Sequence, residues 1–220
     1  MYSIPKVKIC CIASLEEAQL AIRYGASALG LVSAMPSGPG PISEELIAEI
    51  VPYIPKGILS FLLTSKQDAD SIIAQHKKTK VNTLQLVDSV SADVYKKLRK
   101  ELPGISIVQV IHVNDESSVE EARTVAPFVD MILLDSGNPT LAVKELGGTG
   151  RRHDWSLSRK IVALVKKPVF LAGGLKAENV HEAIETVKPY GLDICSGVRT
   201  DGQLDEDKLK MFFQSVNGLR

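Results

Sequence analysis

Residues 169–198 read VFLAGGLKAENVHEAIETVKPYGLDICSGV and hold one complete structural period. An apolar, β-branched run at 169–172 ends at Gly173-Gly174. An amphipathic segment with helical spacing follows at 178–188, and a second apolar run at 192–196 ends at Gly197. Two strands separated by a helix are parallel neighbours, because a parallel pair needs a connection of a dozen or more residues. Upstream the same alternation recurs, with apolar runs at 7–12, 28–33, 57–64, 83–87, 105–113 and 131–135. Between Ser14 and Gly25 the helical signals are complete: a capping Ser, Glu16 and Glu17 in the first turn, Ala18, Ala21 and Ile22 on one face, and a Gly stop. Comparable segments lie near 44–53, 67–78, 90–101, 116–126, 156–166 and 205–216, with Ser43, Ser65, Ser89 or Ser91, Asn114 and Ser156 as cap-type residues. The count is eight strand–helix units, which predicts a single (β/α)8 TIM barrel over residues 1–220. A doubly wound open sheet would place a Gly-rich turn after its first strand, where this chain has Cys10-Cys11-Ile12-Ala13.

Composition narrows the function classes. With 26 Lys+Arg against 26 Asp+Glu the formal net charge is zero, which argues against a nucleic-acid partner. No apolar run approaches the ~20 residues that span a bilayer, and the apolar stretch near the N-terminus is interrupted by Lys6 and Lys8, unlike a signal peptide. Three Cys, two of them adjacent, suggest reduced thiols and a cytoplasmic location. The four His share no metal-ligand spacing, so neither metal nor cofactor is expected. The expected partner is a phosphorylated small molecule, and the expected state a monomer or homodimer.

In such a barrel, function gathers at the carboxyl ends of the strands. Gly173 and Gly174 after strand seven, with Ser196 and Gly197 after strand eight, stand where barrels often bind phosphate. Each turn alone also reads as an ordinary tight connection, and the two together favour the anion site. Gly148, Thr149, Gly150 and Arg151 form a further loop able to close over a ligand. Asp135 ends an apolar strand as a proton donor, or else as a cap or salt-bridge partner. Cys10 ends the first strand as a base or nucleophile, or else as a small buried hydrophobe. Cys10 and Cys11 are read as facing opposite ways, as neighbours on a strand do. Cys195, Met35 and Trp155 read as packing residues, and His112 and His153 as residues near the barrel opening.

Several blocks, in order, resemble the phosphoribosylanthranilate isomerase family. They are Lys8-Ile9-Cys10, Gly25-Ala26-Ser27-Ala28-Leu29-Gly30, Leu84-Gln85-Leu86, Leu133-Leu134-Asp135-Ser136, Gly147-Gly148-Thr149-Gly150 with Asp154-Trp155, Ala172-Gly173-Gly174-Leu175, and Asp193-Ile194-Cys195-Ser196-Gly197-Val198. The resemblance implies a (β/α)8 barrel and the Amadori rearrangement of a phosphoribosyl-arylamine in tryptophan synthesis. It assigns the general acid to Asp135 and the general base to Cys10, with the phosphate on amides around Gly173, Gly174, Ser196 and Gly197.

The sequence also departs from that family. Cys11 replaces the Gly expected after the Cys, and Val87-Asp88 replaces a His-Gly. Residues 35–40 (MPSGPG) lack the Arg expected to hold the aryl carboxylate, and Arg199 stands in place of an acid. Arg151, Arg152 or Arg199 is a possible substitute for the lost cation. Two other readings follow from these changes: an isomerase for another phosphoribosylated amine, or a barrel that binds a sugar phosphate without turning it over.

Overall fold

Apolar side chains on both faces suit strands that are buried by helices outside and by other strands' side chains inside. In the computed structural model, which describes residues 4–218, each predicted run contains such a strand. They are β1 Lys6–Ile9, β2 Ala28–Val32, β3 Leu59–Thr64, β4 Thr83–Leu86, β5 Ser106–His112, β6 Met131–Asp135, β7 Val169–Leu171 and β8 Gly191–Ile194. All pair in parallel and in chain order, and β1 closes on β8 with Ile9 beside Ile194. The helices α1 Leu15–Arg23, α2 Glu44–Ile50, α3 Ala69–Thr79, α4 Ala92–Glu101, α5 Ser117–Val125, α6 Trp155–Leu164, α7 Val180–Val187 and α8 Glu206–Asn217 alternate with them. The barrel expectation holds.

Two cores result from strand alternation. Ile9, Leu29, Leu31, Leu62, Leu84, Ile132 and Leu192 face the helices. Ala28, Phe61, Leu63, Val108, Val110, Leu133 and Phe170 fill the barrel, with Phe61 and Phe170 edge to face at 5.9 Å.

The differences from the sequence reading fall at element ends. The runs at 7–12 and 192–196 stop short as strands, because Cys11 takes a left-handed φ of 61° and a 3-10 turn begins at Ser196. Apolar residues continue past β1 because the turn there is itself buried, whereas the turn after β8 is buried only in part. Ser14 and Ser43 cap as expected, whereas α3, α5 and α6 begin from Asp68, Glu116 and Asp154 rather than from Ser65, Asn114 and Ser156. The carboxylates of Asp68 and Asp154 accept the first-turn amides, which a Ser two or three residues away cannot reach. A short hairpin, β9 Arg199–Thr200 and β10 Gln203–Leu204, was not predicted and sets the position of Arg199.

Candidate active site

A cavity opens at the carboxyl ends of the strands. Cys10 from the end of β1 and Asp135 from the end of β6 both line it, with Gly173, Gly174, Ser196, Gly148, Thr149 and Gly150. The candidate base, the candidate acid and most of the candidate anion loops are therefore brought to a single opening. Gly197 is not among the lining residues; it packs against the Leu175 carbonyl, which a Cβ at 197 would approach to 2.1 Å.

Beneath Cys10 lies an ion pair that the sequence reading did not single out. Lys8 is wholly buried, and its Nζ donates to Asp193 Oδ2 at 2.8 Å and to Cys10 Sγ at 3.5 Å. Burial opposes the charge on Lys8, but the Asp193 carboxylate and the Cys10 sulfur outweigh it and raise the lysine above its ordinary range. The ammonium is thereby fixed beside the Cys10 sulfur. Its nitrogen also stands 5.1 Å from the Phe61 ring centre. The overlooked signal was a Lys between Val7 and Ile9 in a strand that has no solvent-facing side.

Gly30 on β2 leaves room for this arrangement. A Cβ at that position would lie 2.7 Å from Cys10 Sγ and 3.1 Å from Lys8 Nζ. Gly30→Ala is expected to push the thiol aside and to lower kcat/KM by roughly tenfold or more, since small displacements at a reacting atom are costly. The protein should stay folded, at a cost of about 1–3 kcal/mol for overpacking. Steady-state kinetics beside a thermal melt checks this, and unchanged kcat/KM would refute it.

Asp135 is held by its own turn. Its Oδ1 accepts the Ser136 amide at 2.7 Å, and Ser136 Oγ meets Thr149 Oγ1 at 2.7 Å, tying the acid to the loop before α6. Gly147, with φ 127°, passes directly over the carboxyl, where a Cβ would come within 2.5 Å of Oδ2. Arg151, by contrast, turns away to pair with Glu145 and is exposed.

The three arginines considered for the aryl carboxylate are all engaged elsewhere. Arg152 pairs with Glu182 and lies 3.4 Å over the Trp155 ring. Arg199 is buried, forms a two-point pair with Glu17, and donates to the Gly202, Cys10 and Cys11 carbonyls. It braces the turn that carries the thiols from below. Arg199→Ala would strand Glu17, whose half-buried carboxylate is held below its usual range by this guanidinium and the Leu204 and Ala13 amides, against the upward push of burial. Loss of one partner in a buried pair costs about 3–5 kcal/mol, or a Tm fall of roughly 6–20 °C for a chain of this size. Calorimetry that finds a fall under about 2 °C would contradict the bracing role.

Other readings need correction. Cys11 and Cys195 both line the cavity together with Cys10, because Cys11 lies past the strand and alternation no longer applies. Met35 also lines it, while Trp155 is packed as expected. His112 Nε2 donates to the Val87 carbonyl at 2.9 Å, and the residue does not line this cavity. His153 is half-buried against Ser158, and burial pushes its pKa down to about 4 despite the Asp135 and Asp154 charges. Among the described residues no His/Cys/Asp/Glu group is arranged to hold a metal ion.

The family model described as N-(5'-phosphoribosyl)anthranilate (PRA) isomerase matches residues 7–215. The chain belongs to this family. The PRA isomerase match spans all eight strands from Val7 onward and both glycine turns. A relative from Methanosarcina mazei, N-(5'-phosphoribosyl)anthranilate isomerase 2, is 38% identical over 94% of this chain and 92% of its own length. The phosphoribosyl anthranilate isomerase of Thermotoga maritima superposes with a TM-score of 0.81 at 30% identity, covering 98% of this chain and all of that one. Another PRA isomerase structure, 29% identical with a TM-score of 0.78 over 98% of this chain and all of its own, was crystallised with reduced 1-(o-carboxyphenylamino)-1-deoxyribulose 5-phosphate.

Proposed function

We propose that this chain, acting as one catalytic domain over residues 1–220, converts N-(5'-phosphoribosyl)anthranilate to 1-(o-carboxyphenylamino)-1-deoxyribulose 5-phosphate. The observation that carries the reading is the meeting of Cys10 and Asp135 at one cavity in a chain of the PRA isomerase family. Asp135 gives its proton to the furanose ring oxygen, the C1–O bond breaks, and the nitrogen lone pair forms an iminium. The iminium withdraws electrons from C2, so the Cys10 thiolate can take the C2 proton and leave an enolamine. Tautomerisation then yields the ketone. The phosphate rests at Gly173, Gly174 and Ser196, with the Gly197 turn behind them, and the loop with Gly148, Thr149, Gly150 and Arg151 closes over the ribose. The site would act in the cytoplasm, on a small molecule and as a monomer or homodimer.

One observation favours a second reading. The aryl end of the cavity is lined by Val32, Met35, Pro39, Leu63, Val87 and Leu146, and no Arg, Lys or His is among the described lining residues. A charge-assisted contact to the anthranilate carboxylate would be worth about 1.5–3 kcal/mol. An isomerase for a phosphoribosylated amine without that carboxylate fits such a surface. The test is to follow loss of anthranilate fluorescence on conversion of phosphoribosylanthranilate, beside the carboxylate-free aniline analogue. Higher kcat/KM on the anthranilate substrate, and growth without tryptophan in cells lacking this step, support the first reading. Turnover of the aniline analogue alone supports the second, and turnover of neither refutes both.

A further inference from the structure

We propose that Cys11 and Cys195 form a dithiol site at the barrel mouth that hydroperoxides convert reversibly to a disulfide, slowing the isomerase when closed. The two Sγ atoms are 2.7 Å apart although 184 residues separate them in sequence. They come from the turns after β1 and β8, which are joined by the hydrogen bond from the Cys10 amide to the Ile194 carbonyl at 2.8 Å. All three cysteines are free thiols. Cys195 is partly exposed and lines the open cavity, so a small oxidant reaches it from solvent.

Cys11 is buried and held against its partner. Its Sγ lies 3.6 Å from the Pro39 carbonyl, and Gly40 passes so close that a Cβ there would meet Cys11 Cβ at 2.5 Å. The hydrogen bond between the two thiols, with the Arg199 charge nearby, outweighs burial and lowers the Cys195 thiol below its ordinary range, while Cys11 is raised by its bonds to Cys10 and Cys195 and by burial. Cys195, the more exposed of the two sulfurs, is therefore the one that meets the oxidant, with Cys11 behind it as the resolving thiol. Cys10 touches Cys11 as well, but its sulfur also accepts from Lys8 Nζ at 3.5 Å.

The chemistry balances with hydrogen peroxide as the oxidant. The Cys195 thiolate attacks one peroxide oxygen, the O–O bond breaks, and hydroxide leaves to take up the proton that Cys195 had released. The Cys11 sulfur then attacks the sulfenic sulfur, the S–S bond forms, the S–O bond breaks, and water departs with the Cys11 proton. Two thiols and one peroxide give one disulfide and two waters, and an external dithiol reverses the reaction.

Closure draws the sulfurs from 2.7 Å to the disulfide bond length of about 2.0 Å. Cys11 is bonded to Cys10, so the shift is passed to the base, where a displacement of about 1 Å can cost up to 10²-fold in rate. This consequence rests on the role proposed for Cys10; formation of the bond does not.

The experiment treats the reduced full-length protein with hydrogen peroxide, alkylates the remaining thiols, and maps the digest by tandem mass spectrometry while kcat/KM is measured. The expected result is a Cys11–Cys195 crosslink with Cys10 alkylated. A fall in kcat/KM of roughly tenfold, restored by dithiothreitol, should accompany it. Cys11→Gly, which suits the left-handed backbone, and Cys195→Ala should each abolish the reversible fall relative to the same variant untreated. Three alkylated thiols after peroxide, or a crosslink that includes Cys10, overturns the site. A mapped crosslink with unchanged kcat/KM overturns the switch. Should the protein turn over no phosphoribosylated amine, the crosslink map still decides the dithiol site by itself.

Discussion

Cys10→Ser is expected to lower kcat by about 10³-fold, within the 10²–10⁴-fold that a positioned general base contributes, with KM changed less than about threefold. Serine keeps the size and the place of the side chain beside Lys8, so the fold should be preserved. What it loses is basicity: even with an ammonium at 3.5 Å, a hydroxyl holds its proton where a thiol gives it up. In the proposed mechanism the proton leaves C2 only after the substrate is bound and its ring is open, so the damage should fall on turnover and not on binding. Steady-state kinetics on Cys10→Ser and Cys11→Ser separates the neighbouring thiols. Activity surviving in the first and vanishing in the second would place the base on the wrong residue. The same result would make the Lys8–Asp193 pair a structural feature unrelated to proton transfer.

Asp135→Asn is expected to be comparably severe, lowering kcat by about 10²–10⁴-fold while the Tm changes little. The amide can accept the Ser136 N–H bond that Asp135 Oδ1 accepts at 2.7 Å, so the turn keeps its shape. It has no acidic proton to deliver to the ring oxygen. Ring opening then depends on water, and the iminium that acidifies C2 does not form at a useful rate. In the proposed mechanism acid and base act in sequence on one molecule, so Cys10→Ser and Asp135→Asn should combine far less than additively. Kinetics of the double variant checks this: losses that multiply fully would mean that the two residues act on separate processes.

The fold was legible because the alternation of apolar runs with amphipathic segments is a direct record of burial, and eight such units leave few architectures. The ends of the runs were not, for the same reason. Cys10, Cys11 and Ile12 are apolar and buried, and Cys195 is partly so, yet they leave the ladder to form the mouth, and burial does not distinguish a turn from a strand. That Cys10 and Asp135 line one cavity was accessible through the rule that barrels place chemistry at strand ends. Lys8 and Asp193 were missed because each charge is compensated by a residue 185 positions away, a relation that only the closure of β1 on β8 creates. Arg199 was misread as a ligand for the opposite reason. Its partner Glu17 had been assigned to the first turn of α1, and nothing local indicates that the unforeseen hairpin swings the guanidinium beneath the Cys10-Cys11 turn.

The central claim is that a thiol and a carboxyl act from two sides of one bound sugar. The most direct test is a crystal structure of this chain with reduced 1-(o-carboxyphenylamino)-1-deoxyribulose 5-phosphate bound. The account predicts Cys10 Sγ about 3–3.5 Å from C2, the Asp135 carboxyl within hydrogen-bonding distance of the former ring oxygen, and the phosphate against Gly173, Gly174 and Ser196. A ligand seated with C2 remote from that sulfur, or with its phosphate at the Met35 end of the cavity, would contradict it.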